Sequence, residues 1–237
     1  MKINSTIRTG SCYTPAMKIE KWFDPFGRLT RYLPEELLHR FIRAGMTVTL
    51  GVFLVIRVRE YPYFSFKALW LTESLLFVAL MAAFHCRSLP RDRSRGVRQI
   101  VIPLMAGLLP FVLLLSPPAP RVIANRQLLS GIFWWMTAAT ALTVWGIWTL
   151  RHAFSITVEA RHLVTGGPYR FVRHPVYLGE MLAATGVVLL RFSTLNAFLL
   201  LLFVVLQLMR SSWEEAKLTG NFPEYRSFAA RAPWFWS

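Results

Sequence analysis

The amino-acid sequence predicts an all-α protein, a polytopic membrane helix bundle of about six transmembrane helices with a cytoplasm-facing pocket. Three observations predict this fold class. The 237 residues are 54% hydrophobic and 16% charged, whereas charged residues approach about a quarter of an ordinary soluble domain. Several apolar runs approach the roughly 20 residues that a helix needs to cross the hydrocarbon core. The basic residues also gather between alternate runs. Disordered, collagen-like and coiled-coil proteins are excluded by the same composition.

The first three predicted spans are Leu37–Ile56, Ala68–Cys86 and Gln99–Pro120. The first is the weakest, because charges occupy its start, although arginine side chains there can extend to the interface. The second carries one acid, Glu73. The third is interrupted by two prolines, which membrane helices tolerate where neighbouring helices satisfy the freed carbonyl groups.

The last three predicted spans are Gln127–Leu150, Val176–Leu190 and Phe192–Met209. The fourth and sixth spans contain no charged residue, and the fourth is the clearest of all. The fifth is shorter and carries Glu180. Because very few residues separate the fifth and sixth spans, these helices must form an antiparallel hairpin. The start of one and the end of the other then lie at the same membrane face.

The distribution of basic residues predicts the orientation in the membrane. If the N-terminus is cytoplasmic, the inside segments hold 21 Lys and Arg residues and the outside segments hold 6, as the positive-inside rule requires. This explains the net charge of +15 without a nucleic-acid partner, and places cations near anionic membrane lipids. The chain divides into a cytoplasmic tail (1–35), four transmembrane helices (36–150) and a C-terminal core with the last two helices and a cytoplasmic tail (151–237). Both termini are predicted to be cytoplasmic.

Cysteine and glycine patterns exclude other classes of protein. Cys12 and Cys86 are too few for a disulfide framework or a four-thiolate metal site, and no metal is expected. No Gly-rich dinucleotide fingerprint is present, so a soluble Rossmann-type domain is not predicted. The first 30 residues lack a long apolar core, so no cleaved signal peptide is expected.

Polar residues suited to chemistry concentrate between the fourth and fifth spans. Residues 166–168 read Gly-Gly-Pro, a turn signal, and Pro175 suits the first position of a helix. The free N–H groups and positive dipole end of that helix favour an anion beside Arg173 and His174. Each of these residues alone is more often a membrane-interface anchor. Their combination behind a Gly-Gly turn exceeds what anchoring requires.

A second polar group follows the last span. Arg210, Glu214 and Leu218 recur at four-residue spacing and share one face of a helix. Taken alone, such an Arg–Glu pair stabilises a helix by only about 0.2–0.5 kcal/mol. The predicted hairpin, however, brings this group beside the start of the preceding helix. We therefore expect Tyr177 and Glu214 to share one cytoplasmic pocket.

Together the two groups resemble the isoprenylcysteine carboxyl methyltransferase family, within the integral-membrane methyltransferases that include phospholipid N-methyltransferases. The resemblance covers roughly residues 160–233. It is carried by Leu163-Val-Thr-Gly-Gly-Pro-Tyr169, by Arg173-His-Pro-Val-Tyr-Leu-Gly179, and by Arg210-x-x-x-Glu214-Glu215-x-x-Leu218-x-x-x-Phe222-x-x-Tyr225 with a late Pro233.

The resemblance implies an S-adenosyl-L-methionine-dependent methyltransferase that acts on a lipidic or prenylated acceptor, with carboxyl O-methylation favoured. It implies two catalytic residues, Arg210 facing the acceptor and Arg173 beside the cofactor carboxylate. The cofactor-binding residues that it implies are His162, Leu163, Val164, Tyr169, His174, Pro175, Val176, Tyr177 and Glu214.

The chemistry of the acceptor stays open at this point. A carboxylate acceptor is already ionised and needs no general base, and Arg210 would clamp it through two hydrogen bonds, a role that lysine fills poorly. An amine of a phospholipid, or a small thiol, would need a base, for which Glu215, Glu180 and His174 are candidates.

Two other classes of function compete with a methyltransferase. A membrane reductase of the sterol type, which would use a nicotinamide cofactor, has C-terminal helices of similar appearance. A membrane scaffold or small transporter would bind no nucleotide tightly. Glu73 and Glu180 are compatible with transport, because acids inside a membrane often mark ion paths.

Overall fold

The predicted all-α membrane bundle is confirmed by a computed structural model, which describes residues 28, 29, 32, 34–92 and 94–234. No β-strand occurs within these ranges, and six long helices are joined by two short ones. In chain order the helices are α1 (Glu35–Glu60), α2 (Lys67–Cys86), α3 (Gly96–Leu113), α4 (Pro120–Ala124), α5 (Arg126–Leu150), α6 (Pro175–Leu190), α7 (Thr194–Asn221) and α8 (Tyr225–Ala229). Two short 3₁₀ turns lie at Tyr61–Tyr63 and Gly167–Arg170.

Five of the described helices, α1, α2, α3, α5 and α7, are long and apolar enough to cross a membrane. The sixth, α6, is apolar but has only 16 residues. Large apolar side chains lie exposed on the outer faces of these helices, as on Leu108 and Phe198, which suits contact with lipid acyl chains. These features fit an integral membrane protein. The predicted cytoplasmic tail, 1–35, lies largely outside the described residues.

Several helix boundaries differ from those of the predicted spans. The third span was expected to continue to Pro120, but α3 ends at Leu113. The apolar run continues there, yet the prolines at 117 and 118 disfavour helical backbone in the residues before them. The first span is longer than predicted, because α1 continues at both ends beyond 37–56.

The predicted hairpin of α6 and α7 is observed, and its turn is held by side chains. The Ser193 hydroxyl accepts a hydrogen bond from the backbone N–H of Asn196 and caps α7. The buried Asn196 amide donates to the carbonyl oxygens of Leu113, at 3.3 Å, and Arg191, at 2.8 Å. These contacts tie the turn to the end of α3, and the hairpin places the start of α6 beside the C-terminal half of α7.

Small residues let α5 and α6 approach each other closely. A Cβ atom on Gly179 would lie 2.8 Å from the carbonyl oxygen of Ala139 and 2.9 Å from the backbone nitrogen of Thr143. One turn earlier in α6, the side chain of Val176 faces Gly146 of α5. Membrane helices commonly associate through such small residues. This contact sets the position of the start of α6.

The contact predicts opposite effects for two Gly→Ala substitutions. Gly179→Ala should lower the thermal midpoint, because overpacking costs about 1–3 kcal/mol. Gly131→Ala, in α5, meets nothing within 4 Å of its new Cβ and should stabilise the protein slightly through helix propensity. Thermal unfolding of both variants in the same detergent measures the difference. Equal midpoints would contradict a tight α5–α6 contact.

Candidate functional site

One cavity brings the two polar groups together. Its volume is about 540 Å³, within the range of small-molecule pockets. Helices α1, α2, α3, α5, α6, α7 and α8 contribute to its walls, together with the chain between α5 and α6. The polar and ionisable side chains along it are Ser155, Thr157, Glu159, Arg161, His162, Tyr169, Arg173, His174, Tyr177, Glu180, Arg210, Glu214 and Tyr225.

Tyr177 and Glu214 meet inside this cavity, across the α6–α7 hairpin. The Tyr177 hydroxyl donates a hydrogen bond to the Glu214 carboxylate. The guanidinium of Arg210 lies over the Tyr177 ring, 4.7 Å from its centroid, in a cation–π contact. Its Nε is 3.5 Å from Glu214 Oε1, and its Nη2 donates to the carbonyl oxygen of Ser155 at 3.4 Å. The proximity expected of the two motifs is therefore present in the structure.

Arg173 and His174 are both paired with an acid on α7. Arg173 Nη1 lies 2.9 Å from each carboxylate oxygen of Glu215, and His174 Nε2 lies 3.0 Å from Oε1. The His174 ring also stacks on Tyr177 at 5.6 Å. The two residues expected at an anion site thus fasten the start of α6 to α7. Sequence reasoning considered Glu215 only as a base and missed its role as their partner.

Apolar and aromatic side chains form the wall of the cavity around α8. Tyr169 is buried in a cluster with Phe222, Tyr225 and Phe228, against which Leu163 packs together with Val164. Burial raises the pKa of the Tyr169 hydroxyl well above its usual value. Burial, reinforced by the nearby Glu215 carboxylate, raises the pKa of Tyr225 in the same direction. Both phenols therefore stay neutral at physiological pH.

The end of the described chain returns to the same place. The backbone N–H of Arg173 donates to the carbonyl oxygen of Pro233 at 2.9 Å. The segment after α8 therefore lies against the start of α6. Because this segment adjoins the aromatic cluster, it helps to close the cavity at the start of α6.

Nearly all the predicted site residues line the cavity. Pro175 is the exception: its ring is buried in the contact with Gly146 of α5, so its part is to begin the helix. The lining residues among those predicted are His162, Leu163, Val164, Tyr169, Arg173, His174, Val176, Tyr177, Arg210 and Glu214.

A polar cluster in the segment between α5 and α6 was missed. The Glu159 carboxylate accepts hydrogen bonds from Ser155 Oγ at 3.0 Å and Thr157 Oγ1 at 3.1 Å, and it pairs with Arg161. Burial, together with the charge of Arg161, lowers the pKa of the neighbouring Arg87 to about 10. The hydroxyl and charged residues before the first motif are visible in the sequence. Their spacing, however, does not predict that they contact one another.

Helix α3 forms an apolar wall that sequence reasoning also missed. Leu104, Gly107, Leu108 and Phe111 line the cavity. Leu108 and Phe111 are nevertheless 61% and 60% exposed. The cavity is therefore open along this wall. The described residues contain no group of three His, Cys, Asp or Glu side chains placed to hold a metal ion.

Comparison with known proteins finds similarity over part of the chain. A stretch of 101 residues is 33% identical to the nickel-cobalt-cadmium resistance protein NccN of Alcaligenes xylosoxydans xylosoxydans, covering 42% of this chain and 46% of that protein. The chain thus spans about half the length of this curated relative. No solved structure matches the chain. The resemblance seen in the motifs is borne out over residues 121–224, which match the model of the phospholipid methyltransferase family, integral-membrane methyltransferases related to the isoprenylcysteine carboxyl methyltransferases.

Proposed function

We propose that this chain is an integral-membrane methyltransferase that uses S-adenosyl-L-methionine and methylates a lipidic acceptor. The observation that carries the proposal is the shared cavity. At one end Tyr177, Arg210 and Glu214 meet across the α6–α7 hairpin. On another side lies the apolar wall of α3, where Leu108 and Phe111 are largely exposed and could contact lipid. A polar donor and a lipid chain could both reach the same point.

The chemistry of the lining residues fits the cofactor. When bound, it supplies a methyl group carried on a cationic sulfonium. The Glu214 carboxylate can accept hydrogen bonds from an amine or from ribose hydroxyls. The wall of Leu163, Val164 and Tyr169 would cover an adenosine and exclude water. Buried N–H groups of Arg161 lack a hydrogen-bond partner among the described residues, which supports an anionic group of the cofactor in the cavity.

A carboxylate, as on a prenylated cysteine, is the favoured acceptor. It is ionised at neutral pH and needs no general base. Arg210 is buried at the junction of α6 and α7, where its guanidinium can orient the acceptor oxygen. Holding two reactants in line supplies up to about 7–11 kcal/mol of a barrier. Positioning by Arg210 and Tyr177 would then be the chain's main catalytic contribution.

A phospholipid amine is the second candidate, and two observations favour it. The matching family model is that of the phospholipid methyltransferases. In addition, Glu180 lines the cavity, and its carboxylate accepts a hydrogen bond from the Gln207 amide. An ammonium acceptor must lose a proton before methylation, and Glu180 is placed inside the cavity to receive it.

Transfer of a labelled methyl group tests the proposal. Purified full-length protein in lipid nanodiscs would be given labelled cofactor with either a prenylcysteine analogue or phosphatidylethanolamine. Label released by mild base identifies an ester, whereas base-stable label in lipid identifies N-methylation. Absence of transfer to both, together with absence of cofactor binding, would refute the proposal. Tight binding of a nicotinamide cofactor instead would favour the reductase.

The α3 wall predicts a variant that is selective for lipid acceptors. Gly107→Leu should reduce methylation of a long-chain acceptor about tenfold or more, because the new side chain enters the cavity, while a short water-soluble acceptor is still used. No atom lies within 4 Å of a Cβ built on Gly107, so folding should be preserved. Gly45→Leu, on exposed α1 surface that is equally open, is the control. Equal losses for both acceptors would contradict a lipid-facing entrance.

The proposed orientation places both termini in the cytoplasm, with lipids as the partners of the basic segments. In a Cys12→Ser/Cys86→Ser background, Thr165→Cys should react with a membrane-impermeant thiol reagent only from the cytoplasmic side. Ala124→Cys should react only from the opposite side. Both positions are exposed in the structure, so access to the reagent depends on sidedness. The reverse pattern of labelling would overturn the assignment.

A further inference from the structure

We propose that Arg161 binds the carboxylate of the methyl donor. This inference rests on the proposed function and adds to it a binding residue that neither motif contains. The guanidinium of Arg161 is fully buried, and fewer acceptors surround it than it has N–H donors.

The surroundings of Arg161 leave two of its nitrogens without acceptors. The side chain is 0% exposed and lines the cavity. Its Nη2 donates to Glu159 Oε2 at 2.5 Å. Its Nε and Nη1 have no hydrogen-bond partner within the described part of the chain. Leaving the donors of a buried charged group unsatisfied is costly, and a carboxylate from a ligand in the cavity would satisfy them.

The other cavity-lining arginines are more fully occupied. Arg173 directs Nη1 at both oxygens of Glu215. Arg210 is held by Glu214, by the Ser155 carbonyl oxygen and by the Tyr177 ring. Each of the three arginines has an Nε without a hydrogen-bond partner among the described residues, but Arg161 has Nη1 as well.

The local charge balance also favours an anion. Glu159 is the carboxylate paired with Arg161, and it already accepts hydrogen bonds from Ser155 and Thr157. Arg87 lies close enough for its pKa to respond to the charge of Arg161. Two guanidinium groups near one carboxylate leave an excess of positive charge. Moreover, Arg161 directly precedes the strip His162–Val164, which the family resemblance places over the cofactor.

The test compares two ligands that differ only in the carboxylate, S-adenosylhomocysteine and its decarboxylated analogue. Their affinities for the full-length protein in nanodiscs would be measured by calorimetry. We expect the wild type to prefer the carboxylate-bearing ligand by about tenfold or more, the effect of a hydrogen bond between charged groups. The double variant Glu159→Gln/Arg161→Gln removes both buried charges together. It should lose this preference by weakening only the binding of S-adenosylhomocysteine.

Two further variants serve as a matched control and as a milder change of Arg161. Arg170→Gln, an exposed arginine on the same segment, should keep the full preference. Arg161→Lys retains the charge beside Glu159 and should give an intermediate preference, so a readout exists even if the double variant fails to fold.

Three results would overturn the inference. A wild type that binds both ligands equally would refute a carboxylate site while leaving the proposed function intact. A double variant that keeps the full preference for the carboxylate-bearing ligand would exclude Arg161 from this role. That conclusion holds even if the double variant loses turnover of the acceptor. A wild type that binds neither ligand would refute the proposed function itself.

Discussion

Replacing Glu214 with alanine should weaken S-adenosylhomocysteine binding by at least about a hundredfold. Glu214 accepts the hydroxyl of Tyr177 and pairs with Arg210 inside the cavity, and it is the carboxylate best placed to receive hydrogen bonds from the cofactor. A hydrogen bond to a charged group is worth about 1.5–3 kcal/mol, and two such bonds correspond to at least a hundredfold in affinity. Calorimetry with the purified protein in nanodiscs measures the loss.

The control for this prediction is Glu224→Ala, which removes an exposed glutamate beside α8 and should leave binding unchanged. Because Glu214→Ala also deprives Arg210 of its carboxylate, Tyr177→Phe provides a milder second variant. It removes only the hydroxyl that orients Glu214 and should weaken binding by a smaller factor. His174→Ala, which removes the ring stacked on Tyr177, should also abolish binding. Wild-type affinity in the Glu214 and His174 variants would show that both residues only anchor their helices.

Replacing Arg210 with lysine should reduce kcat by about a hundredfold and change cofactor affinity little. The guanidinium contacts Glu214, the Ser155 carbonyl oxygen and the face of Tyr177 at the same time. A lysine ammonium retains the charge but lacks the planar group that makes these contacts together. A loss of two or more catalytic hydrogen bonds corresponds to a barrier increase of about 3 kcal/mol. Turnover at saturating cofactor, with the acceptor identified by the labelling assay, measures the effect.

Arg226→Lys is the matched control, because Arg226 is exposed on the short helix α8. It should retain wild-type turnover and affinity. If Arg210→Lys keeps full turnover, the guanidinium has no role in orienting the acceptor. If it loses cofactor binding as completely as Glu214→Ala does, Arg210 acts on the donor and not on the acceptor.

Much of the fold follows from local properties of the sequence. Apolar runs bounded by arginines predict helices at nearly their observed positions, because burial of backbone in lipid leaves a helix as the only way to satisfy its hydrogen bonds. The end of α3 departs from this rule. Leu114 and Leu115 continue the apolar run, but the nearby prolines end the helix. Hydropathy there predicts an apolar environment, and it does not predict where the helix ends.

The central contact of the site was also predictable. Four-residue spacing places Arg210 and Glu214 on one face of α7. The short connection between the last two spans then brings Tyr177 to the same membrane face as this pair. Helical periodicity and a tight turn were sufficient because both act over few residues.

The sequence by itself therefore determined the helical membrane bundle, its final hairpin and the meeting of Tyr177 with α7. Only the tertiary structure decided that Glu215 pairs with Arg173 and His174, that Arg161 is buried beside Glu159, and that α3 supplies an apolar wall of the cavity. These contacts join an irregular segment and helices far apart in the chain. Their geometry depends on how closely whole helices pack, as at Gly179, and residue spacing carries no information about that distance.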